Sequence, residues 1–245
     1  MRLKTITCSG ANEHTAIEPL VKMLRPYHRA ELGIQVSGTK AAFSTARYWW
    51  LKILYITLLK EKNPVAVALH INSDWVERFC QGDVAPEIAE WLDLSYANGD
   101  PFISRVQLNF KIGREKTPDL DKMLEAIKRF PRQRFIFSYN EDNAEFIQKV
   151  HDSGLKFDLL FDSSHGEGIL PESYPAPIFK DGSQGYSGGL SPENVEERLW
   201  LITKSVPIGR DFSIDAEGKL KGDDKHFSIE KCAQYLKKAS RWDAF

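Results

Sequence analysis

The sequence predicts a single (β/α)₈ TIM barrel spanning residues 1–245. Short apolar runs rich in β-branched and aromatic residues end near Cys8, Ser37, His70, Asn109, Phe137, Asp162, Ser187 and Asp215. Their spacing of roughly 30 residues is the length of one β-α unit with its loops. Helical periodicity fills most of the gaps between them. Eight such units in a row favour a closed barrel over a doubly wound open sheet, and a length near 250 suits one barrel domain. No shift in composition marks a domain boundary.

Each element has its own signal. The first strand comes from the alternation up to Cys8. Ala16 to Leu24 then carries apolar residues at helical spacing, as does Trp49 to Leu59 after the second strand. Val65–Ile71 is long enough only for a buried strand. A further helix is expected from Thr117, with Pro118 at its first position and Leu120, Met123, Leu124 and Ile127 on its apolar face. Asn143 to Val150 and Ser191 to Ile202 follow the same pattern, the second with Ser191 as cap and Pro192 at the first helical position. The last helix begins after Phe227 and runs through Ile229, Cys232, Ala233 and Leu236. One gap breaks the rule. From Ser163 to Gln184 the chain holds Pro171, Pro175, Pro177 and several glycines without helical period, so a long loop replaces much of the sixth helix. A loop of that length inside a compact domain is either functional or evidence against this assignment of elements.

Composition narrows the function classes. With 42% hydrophobic and 27% charged residues the chain reads as soluble and globular. Lys+Arg 33 against Asp+Glu 34 leaves no basic excess, so nucleic acid is not an expected partner. Cys8, Cys80 and Cys232 fit neither a disulfide framework nor a zinc motif. No run of about eighteen apolar residues spans a membrane. The N-terminal segment has no apolar signal region, and a reducing, cytoplasmic location is expected. The six histidines are too scattered for a metal-ligand set, and no dinucleotide fingerprint occurs, so neither metal nor cofactor is expected.

In a barrel, functional groups sit at the C-terminal ends of strands and on the following loops. That rule selects Cys8, His70, Asn109, Asp162 and Asp215, with glycines at Gly166, Gly168, Gly188 and Gly189. A carboxylate closing a buried strand, such as Asp162, must be paired or hydrogen-bonded, or hold a raised pKa useful to an acid. A cysteine on a strand, as at Cys8, is more often a small core hydrophobe. The backbone N–H groups around Gly188 and Gly189 suit an anion.

These residues resemble a known family. Ser187-Gly188-Gly189-Leu190-Ser191-Pro192-Glu193-Asn194-Val195 is similar to the Gly-Gly-Leu-x-Pro-Glu-Asn-Val signature of phosphoribosylanthranilate isomerases. Val106-Gln107-Leu108 matches that family's fourth strand. Leu160-Phe161-Asp162 with Gly166-Glu167-Gly168 resembles its sixth, and Thr7-Cys8-Ser9-Gly10 its first, Lys-x-Cys-Gly, with Ser9 added. Ser44-Thr45-Ala46-Arg47-Tyr48 is similar to the Ser-Pro-Arg-Tyr element after strand two. The matches run in order along nearly the whole chain.

The resemblance implies an Amadori rearrangement of an aminoaldose phosphate to an aminoketose phosphate, a step in tryptophan biosynthesis. It implies Asp162 as the general acid on the ribose ring oxygen and Cys8 as the general base at C2′. It implies that Arg47 holds the anthranilate carboxylate by a two-pronged hydrogen bond. Gln107, Gly166, Gly168, Gly188, Gly189, Asp215 and Gly218 complete the implied substrate site, the phosphate lying after strands seven and eight. Glu217 stands where that family offers hydroxyls, and it is expected to point away and leave Gly218 as the donor. The partner is a small phosphorylated amino sugar, and the chain is expected to be a monomer or small homo-oligomer. A different class stays open, a ligand-binding barrel that kept the scaffold without catalysis.

Overall fold

The computed structural model describes residues 1–113, 116–163 and 166–242. Eight parallel strands close in sequence order into a barrel. They are β1 (Arg2–Ser9), β2 (Ala30–Val36), β3 (Ala66–Ile71), β4 (Ile103–Leu108), β5 (Arg134–Tyr139), β6 (Asp158–Phe161), β7 (Gln184–Tyr186) and β8 (Asp211–Ala216). The last strand pairs with the first, Thr7 with Asp215 and Cys8 with Ala216. Helices α1 (Ile17–Leu24), α2 (Gly38–Ala41), α3 (Ala46–Leu58), α4 (Ser73–Cys80), α5 (Pro86–Asp93), α6 (Leu120–Lys128), α7 (Ala144–Asp152), α8 (Val195–Ser205) and α9 (Ile229–Ala239) lie in the gaps. Among the described residues, none is long and apolar enough to cross a membrane.

Two helix starts fall later than expected. Pro118 precedes the cap of α6 instead of opening it, because the Asp119 side chain takes the N–H of Lys122 at 3.2 Å. Pro192 lies in a turn, and α8 begins at Val195. The Asn194 side chain organises that turn, accepting from Ser191 N and donating to Gly189 O.

Between β6 and β7 no helix forms among the described residues. The loop covers the barrel with its own side chains. Tyr174 packs edge-on against Tyr186 at 5.6 Å, and Tyr186 donates its hydroxyl to Pro175 O at 2.9 Å. Arg210 ties the far half of the loop through the carbonyls of Phe179, Lys180 and Gly182.

Side chains alternate along each strand. The bulky set, including Ile6, Leu32, Leu69, Val106, Phe137 and Ile214, belongs to the buried core beneath the helices. The set facing the barrel axis is unusually polar for a fold whose interior is commonly filled with branched aliphatics. Across its middle, Glu31 accepts from Thr7 Oγ1 and from Arg105 Nη1, each at 2.9 Å, and Glu31 is only 1% exposed. Arg105 also approaches Asp158 at 3.9 Å. This buried ion pair forms the floor on which the upper layer stands.

Candidate active site

Above that floor a cavity of about 520 Å³ opens at the C-terminal mouth of the barrel. Its walls come from strand ends and the loops that follow them. Asp162, Asp215, Glu217, Gln107 and the glycines at 166, 168, 188, 189 and 218 all line it. Thus seven of the eight expected substrate-binding residues, and one of the two catalytic ones, meet in a single cavity. The other two do not reach it.

Cys8 is fully buried and turned outward, into the layer between β1 and α9, where it meets Cys232. Burial, reinforced by the contact with Cys232, pushes its thiol well above the usual cysteine range. A thiol held neutral behind the strand cannot serve as the expected base. The cause is parity. Ser9, added between Cys8 and Gly10, takes the inward position. Its hydroxyl donates to Asp215 Oδ1 at 2.7 Å.

Arg47 is also buried, and its guanidinium is consumed by Glu13 and by the carbonyl of Gln35, at 2.9 Å in the second case. It offers no two-pronged grip to a ligand in the cavity. Glu217 departs from expectation in the opposite sense. It lines the cavity, held by Gln35 Nε2 at 2.6 Å and by Lys221 Nζ at 3.8 Å. Burial raises its pKa, Lys221 and Lys40 offset part of that shift, and Asp162 adds to it.

Asp215 is the most perturbed carboxyl of the site, with a pKa pushed up to about 7. Desolvation at the base of the cavity is the main cause, and the hydrogen bond from Ser9 opposes it. The charges of Glu217 and Glu31 raise it further, while Arg105 pulls it down. Beside it, Ser9 and His70 share the space above Gly33. A Cβ on Gly33 would stand 2.2 Å from Ser9 Oγ and 3.0 Å from His70 Nε2, so only glycine fits there. His70 is 2% exposed, its Nε2 has no hydrogen-bond partner among the described residues, and burial with help from Arg105 lowers its pKa to about 3. It is a neutral imidazole in the cavity wall.

The opposite rim is built from loops. Asp162 Oδ2 accepts the N–H of Gly166 at 2.8 Å, which ties the start of the long loop to the end of β6. Gly188 and Gly189 have φ of 96° and 65°, left-handed values that glycine tolerates. Side chains there would strike the carbonyls of Ile169 and Gly168 at 2.8 and 2.7 Å. The two loops therefore interlock backbone to backbone. Among the described residues, no acceptor takes the N–H groups of Gly188 and Gly189.

No family model and no curated protein matches the chain. Solved structures do. TrpF from Jonesia denitrificans is 16% identical, with 96% of each chain covered and a TM-score of 0.56. A phosphoribosyl anthranilate isomerase in complex with reduced 1-(o-carboxyphenylamino)-1-deoxyribulose 5-phosphate is 15% identical, with 98% of this chain and 100% of that one covered and a TM-score of 0.57. The chain shares their fold. Tryptophan synthase from Mycobacterium tuberculosis, 10% identical over 98% of this chain and 92% of that one, also superposes, with a TM-score of 0.55. The likeness is therefore one of barrel architecture.

Sequence reasoning missed Ser9, Gln35, Asn72, Ser138 and Lys221 as cavity or cavity-supporting residues. It placed His70 and Asn109 at strand ends without giving them a role. For Ser9 the signal was available, since Ile6 and Cys8 alternate with Thr7 and Ser9 and the apolar pair belongs under the helices.

Proposed function

We propose that the cavity performs an aldose–ketose rearrangement of a phosphorylated aminoaldose, with Asp162 as general acid and Asp215, in place of Cys8, as general base. The observation carrying this reading is the convergence of two carboxyls in unlike settings, Asp162 at the rim and Asp215 beside Ser9 at the base, on one cavity edged by the Gly188–Gly189 amides. Two carboxyls facing one cavity can divide acid and base roles. Support also comes from the fold, which a phosphoribosyl anthranilate isomerase holding a phosphorylated ligand shares.

Asp162 gives its proton to the ring oxygen as the C1–O bond breaks, and the nitrogen lone pair forms the iminium. Asp215 takes the C2 proton, and the C–H electrons become the enaminol double bond. Asp215 returns its proton to C1, while the C2 hydroxyl proton restores Asp162 and leaves the ketone. A base with a pKa near 7 is matched to neutral operation. The phosphate rests on the Gly188 and Gly189 amides, with Lys219 and Lys221 on the same cavity.

The test uses glycosylamines formed from ribose 5-phosphate and a panel of primary amines in D₂O. Proton NMR follows ketose formation and deuterium at C1. Asp162→Asn and Asp215→Asn should each lower kcat by roughly 10²–10⁴-fold. Cys8→Ala should leave kcat within about threefold, as expected for a group outside the cavity. Unchanged rates in both asparagine variants would end the proposal, and loss on Cys8→Ala in a folded protein would return the base role to the thiol.

A further inference from the structure

The side of the cavity formed by β2 to β5 differs in character from the phosphate side. Its lining includes Gln35, His70, Asn72, Gln107, Asn109 and Ser138. These side chains hold one another in a chain of neutral hydrogen bonds. Gln107 Nε2 donates to Asn109 Oδ1 at 2.8 Å, Ser138 Oγ donates to the same oxygen at 3.0 Å, and Asn109 Nδ2 donates to Asn72 Oδ1 at 3.0 Å. Asn72 Nδ2 in turn donates to the carbonyl of His70 at 2.9 Å, so the ladder is anchored to the sheet.

Capacity remains after these bonds are made. Each primary amide has two N–H donors and a carbonyl with two lone pairs. Gln107 uses one donor within the ladder, and Gln35 uses one on Glu217. Among the described residues the side-chain carbonyl oxygens of Gln107 and Gln35 take no hydrogen bond, and Nε2 of His70 is also unused. The wall thus presents donors and acceptors together, held at fixed positions. Hydroxyl groups match that pattern because each both donates and accepts. A carboxylate does not, since it only accepts, and the acidic groups Asp215 and Glu217 stand close by. Arg47, the cation expected to hold an aromatic acid, is bound to Glu13 and the backbone.

We propose that this wall recognises an uncharged, hydroxyl-rich group, so that the substrate carries a polyol or sugar on its nitrogen rather than an aromatic acid. This rests on the rearrangement proposed above and names the substrate class for the same cavity. Preorganisation by the ladder favours such a ligand because the amides lose little freedom on binding.

Three unreactive conjugates test it, each made by reductive amination of ribose 5-phosphate. One carries glucamine, one cyclohexylmethylamine (the same ammonium on an apolar group) and one 2-aminobenzoate. Calorimetry on the purified chain should show the glucamine conjugate binding at least tenfold tighter than either of the others. Gln107→Leu, with Gln107→Met as a second variant, should remove most of that preference and leave the affinity for inorganic phosphate unchanged. Equal affinities, or tighter binding of the aminobenzoate conjugate, would overturn the proposal. If neither the conjugates nor inorganic phosphate bind, the phosphate reading fails by itself. The wall is then judged by saturation-transfer NMR with free glucamine and free 2-aminobenzoate at millimolar concentration. Contact with glucamine alone supports it, and contact with 2-aminobenzoate or with neither overturns it.

Discussion

Asp215 lies among groups that pull its proton affinity in opposite directions, and each can be removed singly. The Ser9 hydroxyl stabilises the carboxylate by donating to it, whereas Glu217 disfavours it by like charge. If the ionised form is the base, kcat/KM rises with pH and reaches half its plateau near pH 7. Ser9→Ala should move that midpoint up and Glu217→Gln should move it down. Shifts in the same direction in both variants, or no limb near neutrality in the parent, would remove Asp215 from the base role. The same shift has a consequence for stability. A carboxyl whose folded pKa exceeds its unfolded one binds more protons when folded. Its contribution is therefore full below the ordinary value of 3.8 and is lost as pH rises to about 7.

At the scale of elements, parity along the strand decides which residues were legible. All eight strands end within two residues of the positions expected from apolar runs, because burial under helices writes a strong periodic signal. The faces of those ends were harder to assign. In β1 the motif resemblance drew attention to Cys8, yet one added residue transfers the inward position to Ser9, since successive side chains point to opposite faces. Arg47 was misread for a different reason. Nothing local announces that Glu13, more than thirty residues earlier and on the loop after β1, will occupy its guanidinium. The amide ladder was equally hidden, being assembled from three strand ends and their loops that meet only in the closed barrel. The floor beneath it is a matching case. Glu31, Thr7 and Arg105 join β1, β2 and β4 across the axis. Arg105→Met would leave Glu31 charged and buried with only Thr7, and should destabilise the fold by about 3–5 kcal/mol in chemical denaturation. Adding Glu31→Gln should recover part of the loss. A single variant within about 0.5 kcal/mol of the parent, as for a substitution at the surface, would show that the pair is not a structural tie.

For the molecule as a whole, the loop that stands in for a helix changes more than the outline of the cavity. β6 and β7 meet through only three register pairs, Leu159 with Gln184, Leu160 with Gly185 and Phe161 with Tyr186, whereas β2 and β3 pair along six. A barrel resembles a cask, in which each stave is held by its two neighbours; β7 and β8 also share only three register pairs, but α8 connects them, whereas among the described residues no helix connects β6 and β7. Strain or thermal motion is released where pairing is short and no connecting helix covers the strands, so this joint should part before the others. Amide hydrogen exchange should find Leu160, Phe161 and Tyr186 exchanging by sub-global opening well before Leu32, Ile34 and Leu69. Equal protection around the ring would mean that Tyr174, Tyr186 and Arg210 bind the loop as firmly as a helix. Asp162 follows directly after β6 and Gly188 stands two residues past β7, so a parting of this joint would move the rim carboxyl and the glycine amides apart. The weakest seam of the cask then runs directly beneath the part of its mouth that Asp162 and Gly188 build.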